Sequence, residues 1–406
     1  MKLEIKRQDF LKALQTTEKI AAVKAIEDLE NSIKLNANYD GVTIEATDLK
    51  TTVKSKVNPE SVNLIEPGTA VLPLAILGGM LKKSKCDTAA IEVKDMKGTL
   101  IAEGSKTKFP VVPAENFPNV PESSGAESIC EITSIELSRI ITEGISASSQ
   151  PQDFPKYMGS CLLRTTENSL KAVSTDGKRL AVSEKFCNVN RQEDILLPTT
   201  AVRELARQLA AYGDEKVRIL SDNSTAWFAL ENIEFSIRRI EANFPEYERI
   251  LGDETSTALN ISCDNLMSAV DRVDIIAKTT TGHIMVLDLN PESSLRITAR
   301  SPVFGVAAEY LEAGITGSKM KVGYNATFFI DGLKALGDGD IIIEFSSDEG
   351  QTRMKRVDDS SFLYMLMPTR LSHQDIADDE LNDSDSDSDS DETQAQNNTS
   401  EGEPEF

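Results

Sequence analysis

Ser174-Thr175-Asp176-Gly177-Lys178 is the second occurrence of a string first met at Ala46-Thr47-Asp48-Leu49-Lys50, about 128 residues earlier. Another string keeps the spacing: Ala114-Glu115-Asn116-Phe117-Pro118 returns as Glu241-Ala242-Asn243-Phe244-Pro245, about 127 residues on. Two unrelated strings at one offset mark an internal repeat, in which each copy is one structural unit. Apolar residues at helical spacing follow the same period. Leu11 and Leu14 open the first copy, Leu137, Ile140, Ile141 and Ile145 the second, and Leu266, Ala269, Val270, Val273 and Ala277 the third. Thr133 with Glu136 predicts a capping box at the second start.

Each copy has a later helical stretch, Leu74 to Lys83, Thr199 to Ala211 and Ala326 to Leu336. Between them lie short β-like runs such as Val42-Thr43-Ile44-Glu45, Lys216 to Leu220 and Asp340 to Phe345, with Asp40-Gly41, Asp176-Gly177 and Glu349-Gly350 as turn formers. The fold class is therefore α+β: three domains, each with two helices packed on antiparallel sheet. Polar, turn-rich stretches place the boundaries at residues 1–125, 126–253 and 254–372, with an acidic tail over 373–406.

The 406 residues carry a net charge of −23, and the tail accounts for much of it, with 13 Asp/Glu and no Lys/Arg. The tail alternates Asp and Ser from Asp383 to Asp391 and lacks the apolar residues a core needs, so it reads as a disordered, solvating extension. Loose divalent-ion binding, serine phosphorylation, repulsion of DNA or competition with partner peptides are its other readings. The five cysteines are scattered and never spaced C-x-x-C, so neither a disulfide framework nor a metal site is expected, and no cofactor is. Only two histidines occur, His283 and His373, and nucleotide, zinc-hydrolase and serine-hydrolase signatures are missing. An enzyme would have to use acids such as Asp271 with Asp274 or Asp338 with Asp340. No apolar run approaches the ~20 residues of a membrane span, and the start alternates charged and apolar residues unlike a signal peptide, so a cytoplasmic location without membrane contact is expected.

Thr-Asp-Gly-Lys-Arg-Leu at Thr175 to Leu180, Phe-Pro-Glu-Tyr at Phe244 to Tyr247 and Tyr-Met-Leu-Met-Pro-Thr-Arg-Leu at Tyr364 to Leu371, in this order on a threefold repeat, resemble the bacterial DNA polymerase III beta subunits, the sliding clamps. The likeness spans residues 1 to about 371. It implies a non-catalytic processivity factor, a head-to-tail homodimeric ring with helices lining a hole for double-stranded DNA. Its partners would be the replicative polymerase, the clamp loader and other proteins that carry a clamp-binding motif. Bases on the helical patterns suit such a lining: Lys12, Lys19, Lys82, Lys83, Arg139, Arg203, Arg207, Arg272, Lys278 and Lys334, each of which equally suits a solvated helix face.

By resemblance, Lys24, Gln152, Lys156 and Tyr157 align with DNA-touching positions; packing is the other reading of Tyr157. A partner-peptide cleft is implied at Thr175, Gly177, Lys178, Arg179, Leu180, Pro245, Ile250, Asn325, Phe328, Met365, Leu366, Met367, Pro368, Thr369, Arg370 and Leu371. Its apolar members would accept leucine and phenylalanine anchors, and Thr175 and Asn325 would orient backbone or a glutamine. Tyr364 to Met367 also reads as an ordinary buried strand. The resemblance points to Phe109, Ile275 and Ile276 for the dimer contact, where packing within each domain is the competing view. Three departures stand out: Ala25-Ile26-Glu27-Asp28-Leu29 lacks the family's proline-bearing stretch, Thr369 replaces a longer apolar residue, and the chain continues past Leu371.

Overall fold

A computed structural model describes residues 1–21 (the Lys19 side chain excepted), 31–150, 153–252, 254–292 and 294–372. The Ala25 to Leu29 departure and the tail from His373 lie outside the described residues. Among them are six α-helices: α1 (Arg7–Ala21), α2 (Leu74–Lys83), α3 (Ser134–Gly144), α4 (Thr199–Leu209), α5 (Cys263–Ala277) and α6 (Ala326–Leu336). They pack in pairs, α1 with α2, α3 with α4 and α5 with α6, one pair to each repeat. The predicted apolar stripes are their buried faces: Leu14, Leu137, Ile140, Ile141, Leu266, Val270 and Val273 are all sequestered. None of these helices is long and apolar enough to cross a membrane.

The capping box predicted at Thr133 does not form. The Thr133 hydroxyl donates to Glu136 Oε2 at 2.9 Å instead of accepting a backbone N–H. The free donors of the first turn of α3 go elsewhere, Ser134 N–H to Glu215 O and Ile135 N–H to Gly213 O, both at 2.8 Å. A neighbouring turn thus meets the helix end that sequence assigns to a side chain.

All strand pairings are antiparallel, and the sheets run through the domain boundaries. One nine-stranded sheet joins the first two repeats where Ile233–Arg238 pairs with Thr51–Val57; the other joins the second and third where Arg179–Phe186 pairs with Phe362–Leu366. The two joints share one register. Thr51 stands opposite Ile237, its repeat equivalent Arg179 opposite Leu366; Ser55 stands opposite Ile233, its equivalent Ser183 opposite Phe362. A five-stranded sheet ends on the edge strand Ser105–Pro110, and a four-stranded sheet ends on the edge strand Gly305–Leu311.

Candidate functional site

The string that reveals the repeat is a turn stitched by its own side chains. Asp176 Oδ1 accepts the N–H groups of Lys178 (3.0 Å) and Arg179 (3.1 Å), while Thr175 Oγ1 accepts Gly177 N–H (3.1 Å) and donates to Arg179 O (2.6 Å). The first copy repeats the set, Asp48 Oδ1 accepting from Lys50 (2.9 Å) and Thr51 (2.6 Å) and Thr47 Oγ1 donating to Thr51 O (3.1 Å). Gly177 takes a left-handed φ of +83° that only glycine adopts without cost; its counterpart Leu49 takes +72°.

The turn launches the strand Arg179–Phe186 into the joint with Phe362–Leu366, and side chains alternate between the two sheet faces. Leu180 and Val182 face away from the helices. With Leu162, Val173, Leu196, Tyr247 and Met365 they form a buried apolar cluster, bordered by Tyr157, Ile240, Phe244, Leu251 and Leu363. Tyr157 meets Phe244 edge-on at 5.9 Å, and Phe244 meets Tyr247 at 6.2 Å. Ile250 (52%) and Met367 (47%) are exposed, and Pro245 is exposed as well.

Arg179 points the other way and organises the joint. Its Nε donates to Asp176 Oδ2 (2.9 Å), its Nη1 to Asp331 Oδ2 (2.7 Å) and Tyr364 Oη (3.3 Å), and its plane lies 4.2 Å over the Phe328 ring. Burial works against the charge, but Tyr364, Asp331 and Asp176 outweigh it and hold the guanidinium above its ordinary value. Tyr364 Oη in turn donates to Phe328 O (2.8 Å), which ties α6 to the joint.

The strand pairing brings together Thr175, Gly177, Lys178, Arg179, Leu180, Met365 and Met367, with Met367 N–H bonded to Lys178 O (2.9 Å). Leu366 faces the third domain's core and not the outer cluster. Asn325 caps α6, accepting from Phe328 N–H (3.1 Å) and donating to Gly282 O (2.8 Å), so both ends of its amide are engaged within the chain. Thr369 is tied to the third domain through Gly323 O (2.8 Å), beside half-buried Pro368 and exposed Arg370; Leu371 is half-buried. The sequence reading missed most of the floor: Leu162, Val173, Val182 and Leu196 belong to ordinary-looking alternating strands, and only the aligned F-P-E-Y string hinted at Tyr247.

Lys24 and Gln152 lie outside the described residues, and Lys156 is exposed. Several helix bases are ion-paired within the chain: Lys82 with Glu18, Arg139 with Asp359, Arg207 with Glu204, Arg272 with Glu309, Lys278 with Asp274. Lys12, Lys83, Arg203 and Lys334 are exposed and have no ion-pair partner among the described residues. Phe109 is buried so tightly over Gly98 that a Cβ there would overlap its ring. Ile275 is 68% exposed, whereas Ile276 packs partly against the third domain's core. No three His, Cys, Asp or Glu residues gather as a metal cluster among the described residues.

Three family models match the chain in series: DNA polymerase III beta subunit N-terminal domain at residues 1–121, central domain at 131–246 and C-terminal domain at 248–370. Similar proteins include the beta sliding clamp of Vibrio cholerae, 27% identical over 378 residues (91% of this chain, 100% of that protein). That of Bacillus subtilis is 23% identical over 380 residues (91% and 100%). Among solved structures, the Bacillus subtilis DNA polymerase sliding clamp matches with TM-score 0.86 at 21% identity, covering 92% of this chain and 100% of that one. A Pseudomonas aeruginosa sliding clamp bound to griselimycin matches with TM-score 0.85 at 24% identity (91% and 100%).

Proposed function

The chain belongs to the DNA polymerase III beta subunit family, and from that premise we propose that two copies close head to tail into a ring around duplex DNA, with partner peptides held in the cleft just described. Its function is that of a sliding clamp, a non-catalytic processivity factor that tethers the polymerase to its template. The domains run over residues 1–125, 126–253 and 254–372, and the ring works in the cytoplasm.

The observation that carries the ring is the repeated joint. Each strand equivalent to Thr51–Val57 and Arg179–Phe186 takes a partner in one register; the third equivalent, Gly305–Leu311, is an edge, as is Ser105–Pro110, which matches the partner strands. Carrying the register over sets Gly305 opposite Phe109 of a second copy. An open edge of this kind is a template for strand pairing. Exposed Ile275, Val306 (37%) and Tyr310 (62%) beside it are apolar surface for such a contact to bury. A heterologous contact whose rotation returns on itself closes without free ends.

DNA threaded through the hole cannot leave sideways, so exchangeable phosphate contacts from Lys12, Lys83, Arg203, Lys334 and Lys156 suffice and leave the ring free to slide. Lys24, Gln152 and Tyr157 are the further DNA contacts on this reading. In the cleft, Leu180, Met365 and the aromatic wall receive apolar anchors, each contributing about 1.5–3 kcal/mol when buried. Met365 and Met367 adapt their shape, so one groove serves the polymerase, the clamp loader and other motif-bearing proteins. The test is sizing of the purified chain, then loading on circular DNA. A dimer that stays on circles and leaves after linearisation is expected; a monomer, or equal retention on both forms, overturns the proposal.

A further inference from the structure

Cys130 lies in the strand Glu127–Thr133, whose edge neighbour is the short strand Asn188–Val189, with Cys130 opposite Val189 and Glu131 opposite Asn188. Alternation puts Cys187 on the same face as Val189 and Cys130. Cys187 packs against the buried cluster that contains Cys130, and the register makes the two residues diagonal neighbours across the strand pair. Cys130 is fully buried, whereas Cys187 keeps partial solvent access. We propose that Cys130 and Cys187 are a redox-modification site that closes to a reversible intramolecular disulfide when the chain meets a peroxide.

The chemistry separates the two roles. Cys130 draws the Cys187 thiol below its usual range, while Cys187 and burial push Cys130 far up. The accessible sulfur is therefore the thiolate that attacks, and the buried one resolves. Cys187 thiolate attacks one peroxide oxygen, the O–O bond breaks, and a sulfenic acid forms as hydroxide leaves. The Cys130 sulfur then attacks the Cys187 sulfur, the S–O bond breaks, and its oxygen departs as water with the Cys130 proton. Two thiols and one hydrogen peroxide give one disulfide and two waters. The other cysteines lack this arrangement: Cys161 and Cys263 are buried and pushed up to about 12 and about 11 mainly by burial, and Cys86 has no thiol neighbour among the described residues.

The full chain is treated with hydrogen peroxide, denatured, alkylated and mapped by mass spectrometry. A loss of about 2 Da, a single cross-linked Cys130–Cys187 peptide and restoration by dithiothreitol are expected. Cys187→Ser, an accessible and conservative change, keeps native circular dichroism and shows no such loss. Cys130→Ala stops at the Cys187 sulfenic or sulfinic acid. Overturning results are both thiols still alkylatable in the treated wild-type chain, Cys187 carried to the sulfinic acid without a cross-link, or a cross-link to any other cysteine.

Discussion

Two outer sheet faces of this chain occupy equivalent places on equivalent backbones and have opposite chemistry. Between the second and third domains, Leu162, Val173, Leu180, Val182 and Met365 make the apolar floor. Between the first and second, the same register positions are Lys34, Glu45, Thr52, Lys54 and Ser236, lining a cavity of about 600 Å³. There Glu45 is buried but bridged by Lys34 (3.0 Å) and Lys54 (3.6 Å), and Lys34 lies 5.6 Å from the centre of the Phe117 ring, Phe117 being the counterpart of Phe244. The repeat thus sets where a groove forms, and the side chains alone decide whether it is sticky. An ion-paired floor is already satisfied and has little to gain from an apolar peptide; an apolar floor rimmed by exposed Ile250 and Met367 gains when a partner covers that rim.

The largest effect that would break this comparison lies at Arg179, whose counterpart is Thr51. Arg179→Ala leaves Asp176 and Asp331 without their cation and should cost about 3 kcal/mol of stability in denaturant unfolding. Thr51→Ala should cost about 1 kcal/mol or less. Equal costs would mean that Arg179 does not organise its joint.

Next comes an exchange of floor residues. Val182→Lys, which installs the first joint's residue in the second, should weaken a short Leu/Phe-anchored peptide by about 2–3 kcal/mol, roughly 30- to 150-fold in fluorescence polarisation. Lys54→Val in the counterpart pocket should leave that affinity unchanged. A loss from the second substitution would move the peptide site to the first joint.

The turns sharpen the comparison further. Leu49 holds the left-handed conformation that Gly177 holds in the second copy, so Leu49→Gly should stabilise the chain by about 1 kcal/mol, read as a raised denaturation midpoint. A destabilisation would show that the Leu49 side chain contributes more than its backbone costs.

Acid supplies the smallest effect. Burial raises Asp359, but the Ser361 hydroxyl and N–H, Arg139 and Arg356 outweigh it and hold its carboxyl below the usual range. A depressed carboxylate stabilises fully above its unfolded value of ~3.9 and loses that contribution as pH falls through the lower folded value. Below about pH 4, amides of Phe362–Leu366 should therefore lose hydrogen-exchange protection before those of Ile233–Arg238. Simultaneous loss would rule out a special role for Asp359.

Much of the architecture was legible in residue order. Helix faces, both exact second-helix ranges at Leu74–Lys83 and Ala326–Leu336, and the Asp-Gly turn are local matters of periodicity and backbone preference. The site was legible only at its ends, in the turn and the terminal strand. Its middle was hidden because Leu162 or Val182 carries no mark of which face it buries or against what. The capping box failed for the same reason, since the donors it was to satisfy found Gly213 and Glu215 across space.

What the sequence determined by itself is the threefold repeat, its α+β composition and its turns, because these depend on neighbours a few residues apart. Only the tertiary structure decided that strands pair across domain boundaries in one shared register, that Arg179 is held by Asp331 and Tyr364, and that two chemically opposite outer faces result. Those outcomes depend on contacts between residues more than a hundred positions apart, and such contacts leave no period in the chain.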